Sequence, residues 1–63
     1  MATNQFTLKR DRYIPRHMST ANGVHGRIWE HRRLIDSAWV YYGAAHLPHT
    51  ATRKQIADHF DRI

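Results

Sequence analysis

The stretch Val24-His-Gly-Arg-Ile-Trp-Glu-His-Arg-Arg-Leu-Ile-Asp-Ser-Ala-Trp-Val-Tyr-Tyr-Gly-Ala-Ala-His46 decides how the chain reads. Val24, Ile28, Ile35, Ala38, Tyr42 and Ala45 fall on steps of four and three once His31 is counted among them. At about 100° per residue they make one stripe, widened by Leu34, Trp39 and Tyr41. Glu30, Arg32, Arg33, Asp36 and Ser37 lie mostly away from it. The pattern predicts an amphipathic helix over 24–46, fraying at Gly43 and stopped by Pro48.

Working outward, Leu47-Pro-His-Thr-Ala51 reads as a short connection to a second helix over 52–62. Thr52 and Gln55 are spaced as a capping box, in which each side chain bonds the other's backbone N–H. Ile56, Phe60 and Ile63 follow on one face, with Ala57 beside them. Upstream, residues 1–23 are polar, basic and interrupted by Pro15, and Met18-Ser-Thr-Ala-Asn-Gly23 reads as a linker ending in an Asn-Gly turn. Phe6-Thr-Leu8 alternates over three positions, but a single strand would find no partner in an otherwise helical chain. The expected fold is therefore all-α. It is a small helical hairpin, residues 24–63, carrying an extended or mobile basic arm, residues 1–23.

The chain has 63 residues, so it is one domain at most and a marginal one, because a domain this small buries only about 60% of its unfolded surface. Lacking cysteine, it can have no disulfide or thiolate metal site. The net charge of +5 and pI near 10.5 point to phosphate-bearing or acidic partners. The longest weakly polar stretch, Leu34 to Leu47, is about 14 residues and contains Asp36, short of the roughly 20 that a spanning helix needs. No membrane partner and a cytoplasmic location are expected.

Four groups of residues could carry function. Lys9-Arg-Asp-Arg-Tyr-Ile-Pro-Arg-His17 offers Lys9, Arg10, Arg12 and Arg16 to phosphate, with Tyr13 to stack on an unpaired base. Arg27, Arg32 and Arg33 form a cationic side of the long helix, although Glu30 is spaced to pair with two of them. Trp29 and Val40 lie opposite the apolar stripe. Either they meet a partner, or Phe6 or Leu8 folds back to cover Trp29.

The fourth group is Thr50-Ala-Thr-Arg-Lys-Gln-Ile-Ala-Asp-His-Phe60. It resembles the first helix of helix-turn-helix DNA-binding domains, in which a Thr/Ser cap precedes a helix reading roughly R-x-x-I-A-x-x-F. Arg53, Ile56, Ala57 and Phe60 occupy the matching positions. The resemblance covers about 11 residues, and no recognition helix follows it in the sequence. It therefore implies phosphate contact, through Arg53 and Lys54, rather than readout of base edges.

His46-x-x-His49, with Asp58 and His59 downstream, supplies donor types that zinc accepts, but matches no ligand spacing, so no metal or other cofactor is expected. One Glu and four Asp, with no phosphate-binding glycine loop and no activated serine, give no outline of a catalytic site. The expectation is a small non-enzymatic regulatory protein that binds nucleic acid or a nucleoprotein complex. The alternative is an inhibitor or adaptor of the phage host-takeover kind, or an accessory subunit. It would dock on a larger protein, or on a second copy, through an aromatic helix bearing Trp29, Trp39, Tyr41 and Tyr42.

Overall fold

Residues 24–46 are two strands of a sheet and the turn between them, not a helix. The structure, a computed structural model, describes residues 4–61. It contains strands β1 (Phe6–Leu8), β2 (Asp11–Ala21), β3 (Val24–Ile35) and β4 (Ala38–Pro48), then helix α1 (Arg53–Asp61). The strands form one antiparallel meander in the order β1-β2-β3-β4.

Two features of the sequence make this the winning arrangement. Val24, Ile28, Trp29, Ile35, Trp39, Val40, Tyr41 and Tyr42 are β-branched or aromatic, types that lose rotamer freedom in a helix and pack well on a pleated surface. The turns are also set for hairpins. Asn22-Gly23 joins the pair Ala21 and Val24, and Asp36-Ser37 joins Ile35 and Ala38. Both residues of each turn have positive φ, 52° and 77° in the first, 51° and 66° in the second. This is the twist that two-residue hairpins require.

The apparent helical stripe combined residues of opposite faces. In β3, Trp29, His31 and Arg33 point to one side while Ile28, Glu30, Arg32 and Leu34 point to the other. The all-α hairpin is thus replaced by a sheet with one short helix. Residues 6–21, expected as part of an extended or mobile arm, are β1, β2 and their turn, and β1 finds its partner in Tyr13, Arg12 and Asp11. The short helix is present, and its capping box is formed. The Gln55 N–H donates to Thr52 Oγ1 at 3.2 Å and the Thr52 N–H donates to Gln55 Oε1 at 2.9 Å.

Helix α1 covers one face of the sheet. Ile56, Ala57 and Phe60 meet Phe6, Tyr13, Trp29, Leu47 and Ala51 in a single core. Each large side chain so buried contributes about 1.5–3 kcal/mol. Gly26 lets β4 pass close by, since a Cβ there would stand 2.1 Å from the Leu47 carbonyl oxygen. Among the described residues no element covers the other face, which sets the stage for the site. No helix is long and apolar enough to cross a membrane among the described residues.

Candidate nucleic-acid interface

On the open face, β2 and β3 run antiparallel with Arg12 beside Arg32 and Ile14 beside Glu30. Across β3, Arg32 pairs with Tyr41 and Leu34 with Trp39. Glu30 sits at the centre. It accepts from Arg16 Nε at 2.8 Å and from Arg32 at 2.8 Å, and Arg16 adds a second bond through its terminal nitrogen. The two guanidinium groups cover the carboxylate so well that Glu30 is 7% exposed although, among the described residues, no element lies above it. Burial pushes its pKa up, but the two arginines outweigh that and hold it below the ordinary carboxylate value.

Arg12 is held differently. Its guanidinium lies 4.0 Å from the centroid of the Trp39 ring, and it forms no ion pair among the described residues. Its Nε is buried without a hydrogen-bond partner there. A cation stacked on an indole is oriented without being neutralised, so its charge stays available to an incoming anion. Tyr41, 57% exposed, stands on the same face beside Arg32. Three arginines, one carboxylate and two large aromatic rings therefore share one uncovered sheet surface.

The helix-bearing face holds a second charged group of opposite character. Asp11 Oδ1 accepts from His31 Nε2 at 2.8 Å and from Arg33 Nε at 2.9 Å. Burial raises the Asp11 pKa, but these bonds outweigh it and bring it below its usual value, while the same carboxylate raises that of Arg33. His31 is stacked on Tyr13 with centroids 5.0 Å apart and 7° between planes, and meets Phe60 at 5.1 Å. Burial, then the charges of Asp11 and Asp61, push the Tyr13 phenol up to about 12. Tyr13 and Phe60 belong to the core and His31 is buried against them, while Asp11 and Arg33 lie at its edge, partly exposed.

The structure thus sorts the residues singled out by sequence. Arg12, Arg16 and Arg32 converge on the open face. Lys9 and Arg10 form the exposed β1–β2 turn, where the Arg10 carbonyl accepts the Leu34 N–H at 2.8 Å. Arg27 and Arg33 lie on the helix-bearing face, opposite Leu47 and Asp11, apart from the convergent set. Arg53 and Lys54 are exposed on the first turn of α1, with the Arg53 guanidinium 5.7 Å from the Phe6 ring.

Tyr13 is 2% exposed and packs inside, so it presents no ring to a base. Trp29 is 3% exposed and covered by Phe6, whose ring centroid is 5.9 Å away, so the folding-back of the N-terminal segment is what the structure contains. Val40 is exposed on β4. With the long helix replaced, the aromatic anchors assigned to it separate. Trp39 and Tyr41 stand on the open face, Tyr42 meets His31 on the other, and Trp29 is core.

What sequence reasoning missed is the convergence itself: Glu30 as the clamp between Arg16 and Arg32, and Trp39 under Arg12. The period-two run Ile28-x-Glu30-x-Arg32-x-Leu34 carried that signal. His46 and His49 do not converge. His46 Nε2 donates to the Ser19 carbonyl at 3.3 Å and His49 Nδ1 to that of His25 at 3.1 Å. Comparison of the chain with protein-family models, curated proteins and solved structures found no match.

Proposed function

We propose that this chain is a small non-enzymatic protein that binds nucleic acid, mainly through phosphate contacts, on the open face of its sheet. One observation carries the reading: Arg12, Arg16 and Arg32 converge on that face from β2 and β3, with Trp39 and Tyr41 beside them on β4, against the single carboxylate of Glu30. Cations interleaved with aromatic rings on an uncovered sheet suit a single strand. Its phosphates neutralise the arginines and its bases stack on exposed rings. Lys9 and Arg10, in the turn that leads into β2, extend the positive surface beyond the strands.

The test is a fluorescence anisotropy titration with labelled single- and double-stranded oligonucleotides over a range of salt concentrations. Binding is expected to weaken log-linearly with salt and to favour the single strand. Arg12→Gln should lower the slope by about 0.7. Arg53→Gln, on the helix, should leave the preference for single strands unchanged. No binding at low salt, or equal loss from both substitutions, would overturn the proposal.

A further inference from the structure

The two edges of the sheet are protected very differently. Past Tyr13, where β1 stops pairing, the outer edge of β2 carries Pro15, which has no N–H to offer, then Arg16, and a register shift between Pro15 and Met18. Proline, charge and irregular register are the devices by which edge strands avoid pairing with other chains. The outer edge of β4 has neither charge nor an internal proline. Ala38–Pro48 contains no Lys, Arg, Asp or Glu, and among the described residues it pairs only with β3. Its exposed residues include Val40 at 41%, Tyr41 at 57% and Tyr42 at 53%.

We infer that two copies of the chain associate by pairing β4 with β4 in antiparallel fashion about a two-fold axis, which forms one eight-stranded sheet. Charge selects a second copy as the occupant. The chain carries a net charge of +5, yet none of its Lys or Arg residues lies on β4, so two copies meet least repulsion along this edge. Antiparallel pairing of identical strands is also self-complementary, as a two-fold axis requires.

The irregularity between His31 and Arg32, which leaves Tyr42 unmatched on β4, limits the regular stretch to Ala38–Tyr41. A two-fold axis at Val40 then sets Trp39 of one copy beside Tyr41 of the other, an aromatic cross-strand pair on the open face. The two cationic surfaces become continuous across the junction. A contact of about three residues, Trp39–Tyr41, spans roughly 10 Å, far below the interface of about 800 Å² per partner that stable complexes bury. The dimer is therefore weak and forms only at high concentration of the chain.

Sedimentation equilibrium without nucleic acid tests this independently of the binding proposal. The average mass should rise toward twice that of the chain as concentration approaches the millimolar range, and Val40→Lys should keep it at the monomer value. The chain has no cysteine, so single-cysteine variants report contact cleanly. Val40→Cys should oxidise to a disulfide-linked dimer well ahead of Met18→Cys, whose site is more exposed but lies on β2. A mass that stays monomeric, or equal oxidation of the two variants, overturns the inference and leaves the edge to a strand of another protein.

Discussion

On the helix-bearing face Asp11 lies between His31 and Arg33, at the edge of the ring stack of Tyr13, His31 and Phe60; on the open face Glu30 lies between Arg16 and Arg32, covered by their guanidinium groups. Both are carboxylates clamped by two basic side chains across β2 and β3. They differ in what surrounds them. Around Asp11 the ring stack of Tyr13, His31 and Phe60 fills the space, so the clamp serves the core. Around Glu30 the neighbours are Arg12 and exposed Tyr41, so cationic charge is left over on a surface with nothing above it. One sheet thus uses the same polar device for stability on one side and for presentation of charge on the other.

The sharpest way to break the comparison is to remove one tryptophan from each face. Trp29→Ala should cost about 3–5 kcal/mol. A chain of this length is stable by roughly 3–9 kcal/mol, so the variant should lose a third or more of its stability and thermal denaturation should show a large drop in midpoint. Trp39→Ala should leave the fold standing but weaken single-strand binding several-fold, since the ring that holds the Arg12 guanidinium in place would be lost. Equal effects of the two on stability would show that the faces are not divided in this way.

Strong alkali tests the helix-bearing face. Tyr13 has its pKa raised to about 12, so the folded state favours the neutral phenol. That preference is fully present below the ordinary tyrosine value of about 10 and is lost as pH rises toward 12. About two pKa units correspond to about 2–3 kcal/mol. Urea denaturation should show stability falling over that window in the native chain, and Tyr13→Phe should flatten the fall.

These contrasts also show how far the sequence could be read. Thr52 and Gln55 announced the start of α1 because a capping box is a local device, complete within four residues. Asn22-Gly23 is equally local and reads as a turn, but as one that closes a linker, because the segment after it matches a helical period. Only pairing between strands distinguishes the two, and pairing is not local. The site inherits that error. Arg32 and Arg33 look like neighbours on a helix, whereas on β3 they face opposite ways, one to Glu30 and one to Asp11. Arg12 and Trp39, 27 positions apart, meet only because β3 lies between them.

Mild acid should act on both faces. Asp11 and Glu30 both have pKa values held below normal by their basic partners. Their contribution is present above the ordinary carboxylate range near pH 4 and is lost as pH falls through the lowered values. Stability measured by urea denaturation should therefore drop below about pH 4, and Asp11→Asn or Glu30→Gln should each remove part of that drop. A pH-independent stability between 3 and 6 would mean that neither clamp contributes to folding.

The smallest effect separates the faces most finely. Glu30→Gln keeps the side-chain shape and removes the charge that occupies Arg16 and Arg32. Losing charge-assisted bonds at this site, where both arginine partners are themselves partly exposed, should lower stability by about 1 kcal/mol. Two arginines would then be free to meet phosphate, so oligonucleotide affinity should rise a few-fold and the salt slope should steepen. Asp11→Asn makes the same change in net charge on the helix-bearing face, and should lower stability without raising affinity to the same degree. If both substitutions raise affinity equally, the gain is the overall charge of the protein and not a property of the open face.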